Sequence, residues 1–163
     1  MRWVTGAVVA LVALAQPSLA VEAGEASTAT SIGELLTATA QEVAGSTGEW
    51  TALYRGERIL VFAVETQGRM RIMAPVASVG DLARAELLVL LEANYGRALD
   101  AKFAVADGVV WTLFNRPMDG LGRDDFLDGL DQVVTLKKNY GTSYRSTDLT
   151  FGRPPGAGGE QRP

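Results

Sequence analysis

The chain has 163 residues, of which 15 are Lys or Arg and 19 are Asp or Glu, giving a formal net charge of −4. This length fits one domain, and the acidic balance with scattered basic residues argues against binding to nucleic acid or to an anionic membrane. The chain has neither cysteine nor histidine, which excludes disulfides, thiolate chemistry, Ser-His-Asp catalysis and the usual zinc sites.

Residues 1–20 are predicted to form a secretory signal peptide. Arg2 precedes a neutral, mostly apolar run from Trp3 to Ala15, and the sequence SLA at 18–20 has the small-x-small shape of a signal-peptidase site. The run is shorter than the roughly 20 apolar residues of a membrane span, although an uncleaved anchor is the alternative. We expect cleavage after Ala20 and a periplasmic or secreted protein.

The rest of the chain divides by composition into three parts. Residues 21–30 are small and polar without periodicity, which predicts a flexible linker. Residues 152–163, "GRPPGAGGEQRP", contain three prolines and four glycines, and this composition is typical of a disordered tail. A single domain is therefore predicted over residues 31–151.

The first half of that domain is predicted to be one helix and three strands. Ser31 and Glu34 form a capping-box pattern, and apolar residues recur at helical spacing as far as Val43, before the glycines of GSTG at 45–48 end the helix. Three short segments rich in aromatic or β-branched residues follow, and Pro75 is expected to end the last of them. They predict an antiparallel meander with strands Glu49–Tyr54, Ile59–Glu65 and Met70–Ala74.

The second half is predicted to be a helix, a hairpin and a helix. A second capping pattern at Ser78 predicts a helix from Val79 to Tyr95, whose leucine-rich middle should be largely buried or packed on another subunit. Asp107-Gly108 is a strong hairpin signal, and Asp124 and Asp125 suit the start of the last helix. The predicted order is α-β-β-β-α-β-β-α, an α+β fold in which helices pack on one antiparallel sheet.

The tripeptide NYG occurs twice, at Asn94–Gly96 and at Asn139–Gly141. The sequences around the two copies do not align, so an internal repeat is rejected. Each copy follows a helix-like run, which predicts that Gly96 and Gly141 end helices with positive φ and that Tyr95 and Tyr140 pack the last turn on the sheet.

No residue is predicted to be catalytic or to bind a metal or cofactor, and the chain is predicted not to be an enzyme. The acidic stretch around Asp124 lacks the spacing of a calcium loop and is explained by the helix start. Lys102 lies in no S-x-x-K motif and is interpreted as an ordinary surface lysine. A hydrolase that uses carboxylates alone remains a third hypothesis.

Five aromatic residues are predicted to bind a partner, because aromatic side chains dominate binding hot spots. Core packing is the alternative for each of them. The segment at 109–114 is apolar on both faces, so it is either a central strand covered on both sides or part of an interface. The predicted partner-binding residues are Trp50, Tyr54, Phe62, Trp111 and Phe114.

The segment "LLVLLEANYGRALDAKFAVADGVVWTLFNRP", followed by "DDFLDGLDQVV", resembles the YbjN-type domain and the related class I type III secretion chaperones. Asn94, Phe103, Asp107 and Gly108 carry the likeness, which covers about Ser31–Tyr144. The resemblance implies helices packed on a twisted sheet in a non-catalytic binding module, often a dimer, that holds an extended segment of a partner. The predicted signal peptide is a departure, since those chaperones act in the cytosol.

The leading hypothesis is therefore an exported, homodimeric interaction module that binds an extended segment of a partner protein. It requires no cofactor, no nucleic acid and, after signal cleavage, no membrane. The alternative is a periplasmic small-ligand or lipid-binding protein whose apolar pocket is lined by Phe62, Phe103 and Trp111.

Overall fold

The computed structural model describes residues 27–149. The predicted signal peptide, most of the predicted linker and the predicted tail at 152–163 lie outside the described residues. Within them, one six-stranded antiparallel sheet and three α-helices confirm the predicted α+β class, with one strand more than expected. The elements are α1 (Ala29–Thr39), β1 (Glu42–Ser46), β2 (Glu49–Tyr54), β3 (Glu57–Val64), β4 (Arg69–Ser78), α2 (Arg84–Gly96), β5 (Lys102–Ala106), β6 (Val109–Pro117) and α3 (Arg123–Lys138).

The sheet order is β1-β2-β3-β4-β6-β5, so β1 and β5 are its two edges. The predicted hairpin at Asp107-Gly108 joins β5 to β6 and is confirmed, with φ of 50° and 74° at these two residues. Arg55-Gly56 joins β2 to β3 with φ of 49° and 79°. Positive φ at both central residues belongs to the type I′ turn, whose twist matches that of the strands.

Helix α1 begins three residues before the predicted start. Thr28 is its N-cap: the Thr28 hydroxyl accepts from the Ser31 amide (3.1 Å), and the Ser31 hydroxyl accepts from the Thr28 amide (3.0 Å). Ser31 therefore takes the third helical position of the capping box rather than the cap. The helix includes Ala29 and Thr30, which were predicted to belong to the linker.

Strand β1 occupies residues that were predicted to end the first helix. Val43 pairs with Ala52, and GSTG at 45–48 belongs to the hairpin between β1 and β2. Gly45 pairs with Trp50 at φ 127°, where an added Cβ would lie 2.3 Å from the Glu49 carbonyl oxygen. In this edge strand Val43 is half-buried and the other four residues are exposed. Strand β1 therefore lacks the alternation of apolar and polar residues by which a strand is predicted from sequence.

The prediction that Pro75 ends a strand is wrong. Strand β4 continues to Ser78, with a register shift between Pro75 and Ala77 that accommodates the residue lacking an amide hydrogen. Ser78 then caps a single 3₁₀ turn by accepting from the Gly80 amide. As a result, α2 begins at Arg84 rather than at the predicted Val79.

The core lies between one face of the sheet and helices α1 and α3. Trp50, Val61, Ile72 and Phe114 are successive cross-strand neighbours on that face, and all four are buried. Glycines let both helices approach aromatic rings of this row. A Cβ at Gly33 of α1 would lie 2.8 Å from the Trp50 indole, and one at Gly129 of α3 would lie 2.6 Å from the Phe114 ring.

The two NYG copies differ. Gly141 has φ of 74° as predicted, but Gly96 does not have positive φ and is the last residue of α2, so the prediction for Gly96 is wrong. The amides of Arg97 and Ala98 both donate to the Ala93 carbonyl, which ends this helix without a left-handed residue.

The two tyrosines of the NYG copies differ as well. Tyr95 is 67% exposed and does not pack on the sheet. Tyr140 packs edge-on against Phe103 and Tyr144, with ring centroids 6.3 and 6.0 Å away.

Candidate functional site

Helices α1 and α3 cover one face of the sheet, and among residues 27–149 no helix packs over the other. We call this second surface the open face. Register places Leu60, Met73 and Leu113 next to one another across β3, β4 and β6. Six apolar side chains on β3, β4 and β6 form the centre of the open face: five are half-buried, and Val64 is 41% exposed. The six are Leu60, Phe62, Val64, Met73, Trp111 and Leu113.

One end of the open face forms a groove with basic walls. Its volume is about 580 Å³, and Phe62, Val64, Arg69, Arg71 and Asn115 are among the residues that line it. The Arg71 Nε donates to the Asn115 Oδ1 at 2.9 Å. Among the described residues, this is the one hydrogen bond of the Arg71 side chain, and it orients a guanidinium that lines the groove.

Helix α2 lies along the edge strand β5. The Asn94 side chain donates to the Phe103 carbonyl (2.9 Å) and accepts from the Phe103 amide (2.7 Å). It therefore satisfies both backbone groups that Phe103 directs away from β6, which would otherwise be open to another strand. The sequence predicts that Asn94 lies at a helix end. It does not reveal these two hydrogen bonds, because they join Asn94 to Phe103, nine residues away in a different element.

Lys102 is not the ordinary surface lysine that was predicted. Its Nζ donates to the carbonyls of Asn94 (2.7 Å) and Ala98 (2.8 Å) at the end of α2, where a cation also suits the helix dipole. Burial lowers the pKa of this ammonium, and the nearby Asp100 carboxylate opposes the change.

Helix α2 presents an apolar stripe to solvent. Leu88, Leu91 and Tyr95 are 51%, 63% and 67% exposed, and with Arg84 they repeat at spacings of four, three and four residues, which places all four on one face of the helix. We call these four residues the α2 stripe. Of the two alternatives predicted for this helix, burial within the chain is wrong, because only Leu90 and Ala93 are buried within it. Packing on another subunit stays a prediction.

A second apolar groove lies beside the stripe, between α2 and β5. Its volume is about 420 Å³, and Val105 in its wall is 56% exposed. The residues that line it are Leu87, Leu90, Leu91, Phe103, Ala104 and Val105.

Three of the five predicted partner-binding residues belong to the core. Trp50, Tyr54 and Phe114 are 7%, 7% and 1% exposed, because the face on which they lie is the one that α1 and α3 cover. Phe62 and Trp111 lie on the open face and are half-buried. A partner-binding role for these two residues stays a prediction.

The predicted ligand pocket is also corrected. Phe103 is buried on the helix-covered face, where it pairs with Thr112, whereas Phe62 and Trp111 lie on the opposite face. The three aromatic side chains are therefore on two sides of the sheet and do not line one cavity.

The buried polar side chains of the described region serve the fold. Gln132, Thr112 and Ser146 are the buried polar residues among 27–149, and each is hydrogen-bonded to backbone. In the same range, no group of three or more Asp or Glu side chains is placed to hold a metal ion. None of the helices described there is long and apolar enough to cross a membrane.

The surfaces that the described fold offers for binding thus include the open face, with its basic groove, the α2 stripe and the apolar groove beside the stripe. Neither protein-family models nor curated proteins gave a match when they were compared with this chain.

Proposed function

We propose that this protein is an exported, non-enzymatic interaction module that binds an extended segment of a partner protein on its open face. The observation that carries the proposal is the uncovered sheet face, where six apolar side chains adjoin across three strands. Contiguous apolar surface of this kind marks interaction sites in soluble proteins. The resemblance to the secretion-chaperone class, inferred from sequence, agrees with this role.

The row formed by Leu60, Met73 and Leu113 suits an extended ligand. Neighbouring strands are about 4.8 Å apart, so the row offers a series of shallow gaps between side chains. An extended segment directs alternate side chains to one side, and those side chains fill the gaps without requiring the sheet to open. Phe62 and Trp111 flank the row and supply the aromatic contact area that is typical of hot spots.

The same proposal includes a homodimer formed through the α2 stripe. When two copies of α2 cross antiparallel about a two-fold axis, Leu88 faces Leu91 of the partner subunit, and Arg84 faces Tyr95 of the partner subunit. The stripe is thus complementary to itself, as an isologous interface requires. It lies on the side of β5 that is remote from the basic groove, so dimerisation leaves the groove accessible.

Photo-crosslinking tests the partner-binding role. A benzoylphenylalanine at Phe62 on the open face is compared in cells with one at Glu34, which is exposed on α1. We expect a discrete protein adduct from position 62 and none from position 34. No adduct at either position, or the same adducts at both, would contradict the proposal.

One observation favours a second function, a periplasmic small-ligand or lipid-binding protein. The groove of about 580 Å³ has the volume of many ligand sites, which range from about 300 to 1,000 Å³. Native mass spectrometry of the purified protein tests this alternative: a co-purified small molecule that is lost when Phe62 is replaced by Asp would favour it over the protein partner.

A further inference from the structure

We infer that the segment bound on the open face is acidic as well as apolar, with carboxylates that contact Arg69 and Arg71. This inference rests on the proposed function and specifies the chemistry of the partner. It combines three features: the positions of the two guanidinium groups, the fact that neither takes part in an ion pair among residues 27–149, and their distance from the apolar row.

The two arginines lie along β4 beside the apolar row. Arg69 and Arg71 are two residues apart on β4, so both side chains project from the open face with Cα atoms about 6.8 Å apart. Arg71 is the cross-strand neighbour of Phe62, and Arg69 is the neighbour of Val64. Met73 continues the same side of β4. A ligand that reaches the guanidinium groups therefore also contacts apolar side chains.

The local charge is opposite to that of the whole chain, which has 15 basic and 19 acidic residues. Arg69, Arg71 and Arg58 all lie on the open face, and none of them takes part in the three ion pairs formed within residues 27–149. Guanidinium groups on an apolar surface are weakly hydrated and match carboxylates in bidentate geometry. The open face is thus electrostatically complementary to an acidic ligand.

The geometry favours a protein segment over a fatty acid or a nucleic acid. A lipid site must bury most of an acyl chain, whereas this groove is open along the sheet. Nucleic-acid sites need many phosphate contacts from a dense basic patch, and three guanidinium groups in an acidic chain do not form one. An extended segment with Asp or Glu beside apolar residues satisfies both the row and the arginines.

Three labelled peptides test the inference by fluorescence anisotropy with the purified protein. They share the same Leu and Val positions in an extended 12-residue sequence, and the intervening residues are Glu, Gln or Lys. We expect the Glu peptide to bind roughly tenfold more tightly than the Gln peptide, and the Lys peptide to bind most weakly. The preference for Glu should decrease as salt is raised from about 0.05 to 0.5 M, because the contacts are near solvent.

Single substitutions assign the effect to named residues. Arg69→Gln and Arg71→Gln should each weaken binding of the Glu peptide roughly two- to fivefold and leave binding of the Gln peptide unchanged. Arg123→Gln, on the exposed start of α3, removes the same charge elsewhere and should leave both affinities unchanged. An equal loss in the Arg123 variant would mean that net charge, rather than the groove, sets the preference, and would overturn the inference.

The outcomes separate this inference from the proposed function. Equal binding of all three peptides, abolished by Phe62→Asp, would overturn the acidic preference while the proposed function stands. No binding by any of the three peptides would count against both. Displacement of the Glu peptide by oleate, with tighter binding of oleate than of any peptide, would overturn the inference in favour of a lipid.

Discussion

At the scale of single residues, Gly96 and Gly141 share the NYG context but have opposite backbone requirements. Gly96 closes α2 without positive φ, whereas Gly141 has φ of 74°, and an added Cβ would meet nothing within 4 Å at either position. We expect Gly96→Ala to raise the free energy of unfolding by about 0.5–1 kcal/mol, because alanine restricts the unfolded chain and suits a helix.

Gly141→Ala is expected to lower the free energy of unfolding by about 1 kcal/mol, since a Cβ is strained at positive φ. Urea denaturation followed by circular dichroism measures both variants, each serving as the control for the other. Because neither site has a packing neighbour, changes of the same sign in the two variants would contradict the backbone explanation.

Tyr54 makes stability depend on pH in the alkaline range. Burial raises the pKa of its phenol above the ordinary 10.0, and the hydrogen bond to the Asp131 carboxylate (2.6 Å) raises the pKa further, while Arg55 opposes the change. Since the folded protein holds this proton more tightly than the unfolded chain, the contribution to stability is complete below pH 10 and is lost as pH rises through the folded pKa.

Tyr54→Phe should therefore flatten the decline in stability above about pH 10. Asp131→Asn should have a smaller effect in the same direction, because burial remains. Urea midpoints measured at a series of pH values test both variants. A Tyr54→Phe profile parallel to that of the parent protein would show that this phenol does not contribute.

At the scale of elements, Gln132 joins α3 to the segment that enters β5. Its Oε1 accepts from the amides of Asp100 (2.9 Å) and Ala101 (3.0 Å), and its Nε2 donates to Asp128 (2.6 Å). Gln132→Leu leaves these two amides without an acceptor, at an expected cost of about 2–4 kcal/mol. Asp128→Ala is the matched control: it removes one hydrogen bond of Gln132 but leaves both amides bonded, so it should cost less, about 1 kcal/mol.

Hydrogen exchange locates the effect of Gln132→Leu. The amide of Ala101, which is fully buried, should exchange faster in this variant, while amides in β2 keep their protection relative to global unfolding. Uniformly faster exchange throughout the sheet would instead indicate that the substitution destabilises the whole domain and that the link to β5 is not local.

Local signals explain which elements the sequence predicts well. Strand β2 has its predicted bounds because its residues alternate between buried and more exposed positions along its whole length. The hairpin at Asp107-Gly108 is predicted because a type I′ turn requires positive φ at both central residues, which these two residues adopt. Strand β1 is missed because an exposed edge strand has no buried face to impose alternation. The start of α2 is misplaced because β4 continues past Pro75, an outcome decided by pairing with β6.

The candidate site is less predictable than the elements, for a physical reason. Strands β3 and β6 are apolar on both faces. Alternation therefore assigns their residues to two opposite faces of the sheet, but it does not show which face the helices cover. That choice depends on long-range packing, in which Gly33 and Gly129 admit the rings of Trp50 and Phe114. Aromatic content alone therefore predicted five partner-binding residues, of which Phe62 and Trp111 lie on the open face and the other three belong to the core.

At the scale of the whole molecule, the described fold is asymmetric. Two helices cover one face of the sheet, the opposite face is open and basic at one end, and α2 extends the apolar surface beyond the β5 edge. In the proposed arrangement these surfaces have separate tasks. The open face binds the partner segment, and the α2 stripe joins two copies, so that a dimer presents two open faces to one partner chain.

The proposed dimer yields a prediction for the α2 stripe. Leu91 is 63% exposed in the single chain and faces Leu88 of the partner subunit in the proposed antiparallel crossing. Leu91→Glu removes an apolar contact of about 1.5–3 kcal/mol on each side of the two-fold axis, so the dimer Kd should rise by about a hundredfold or more.

Leu149→Glu is the matched control, because Leu149 is also exposed, at 53%, but lies outside α2. Light scattering after size-exclusion chromatography, over a range of protein concentrations, should show a dimer for the parent and the Leu149 variant and a folded monomer for the Leu91 variant. A parent protein that stays monomeric, or a Leu91→Glu variant that stays dimeric, would contradict this interface.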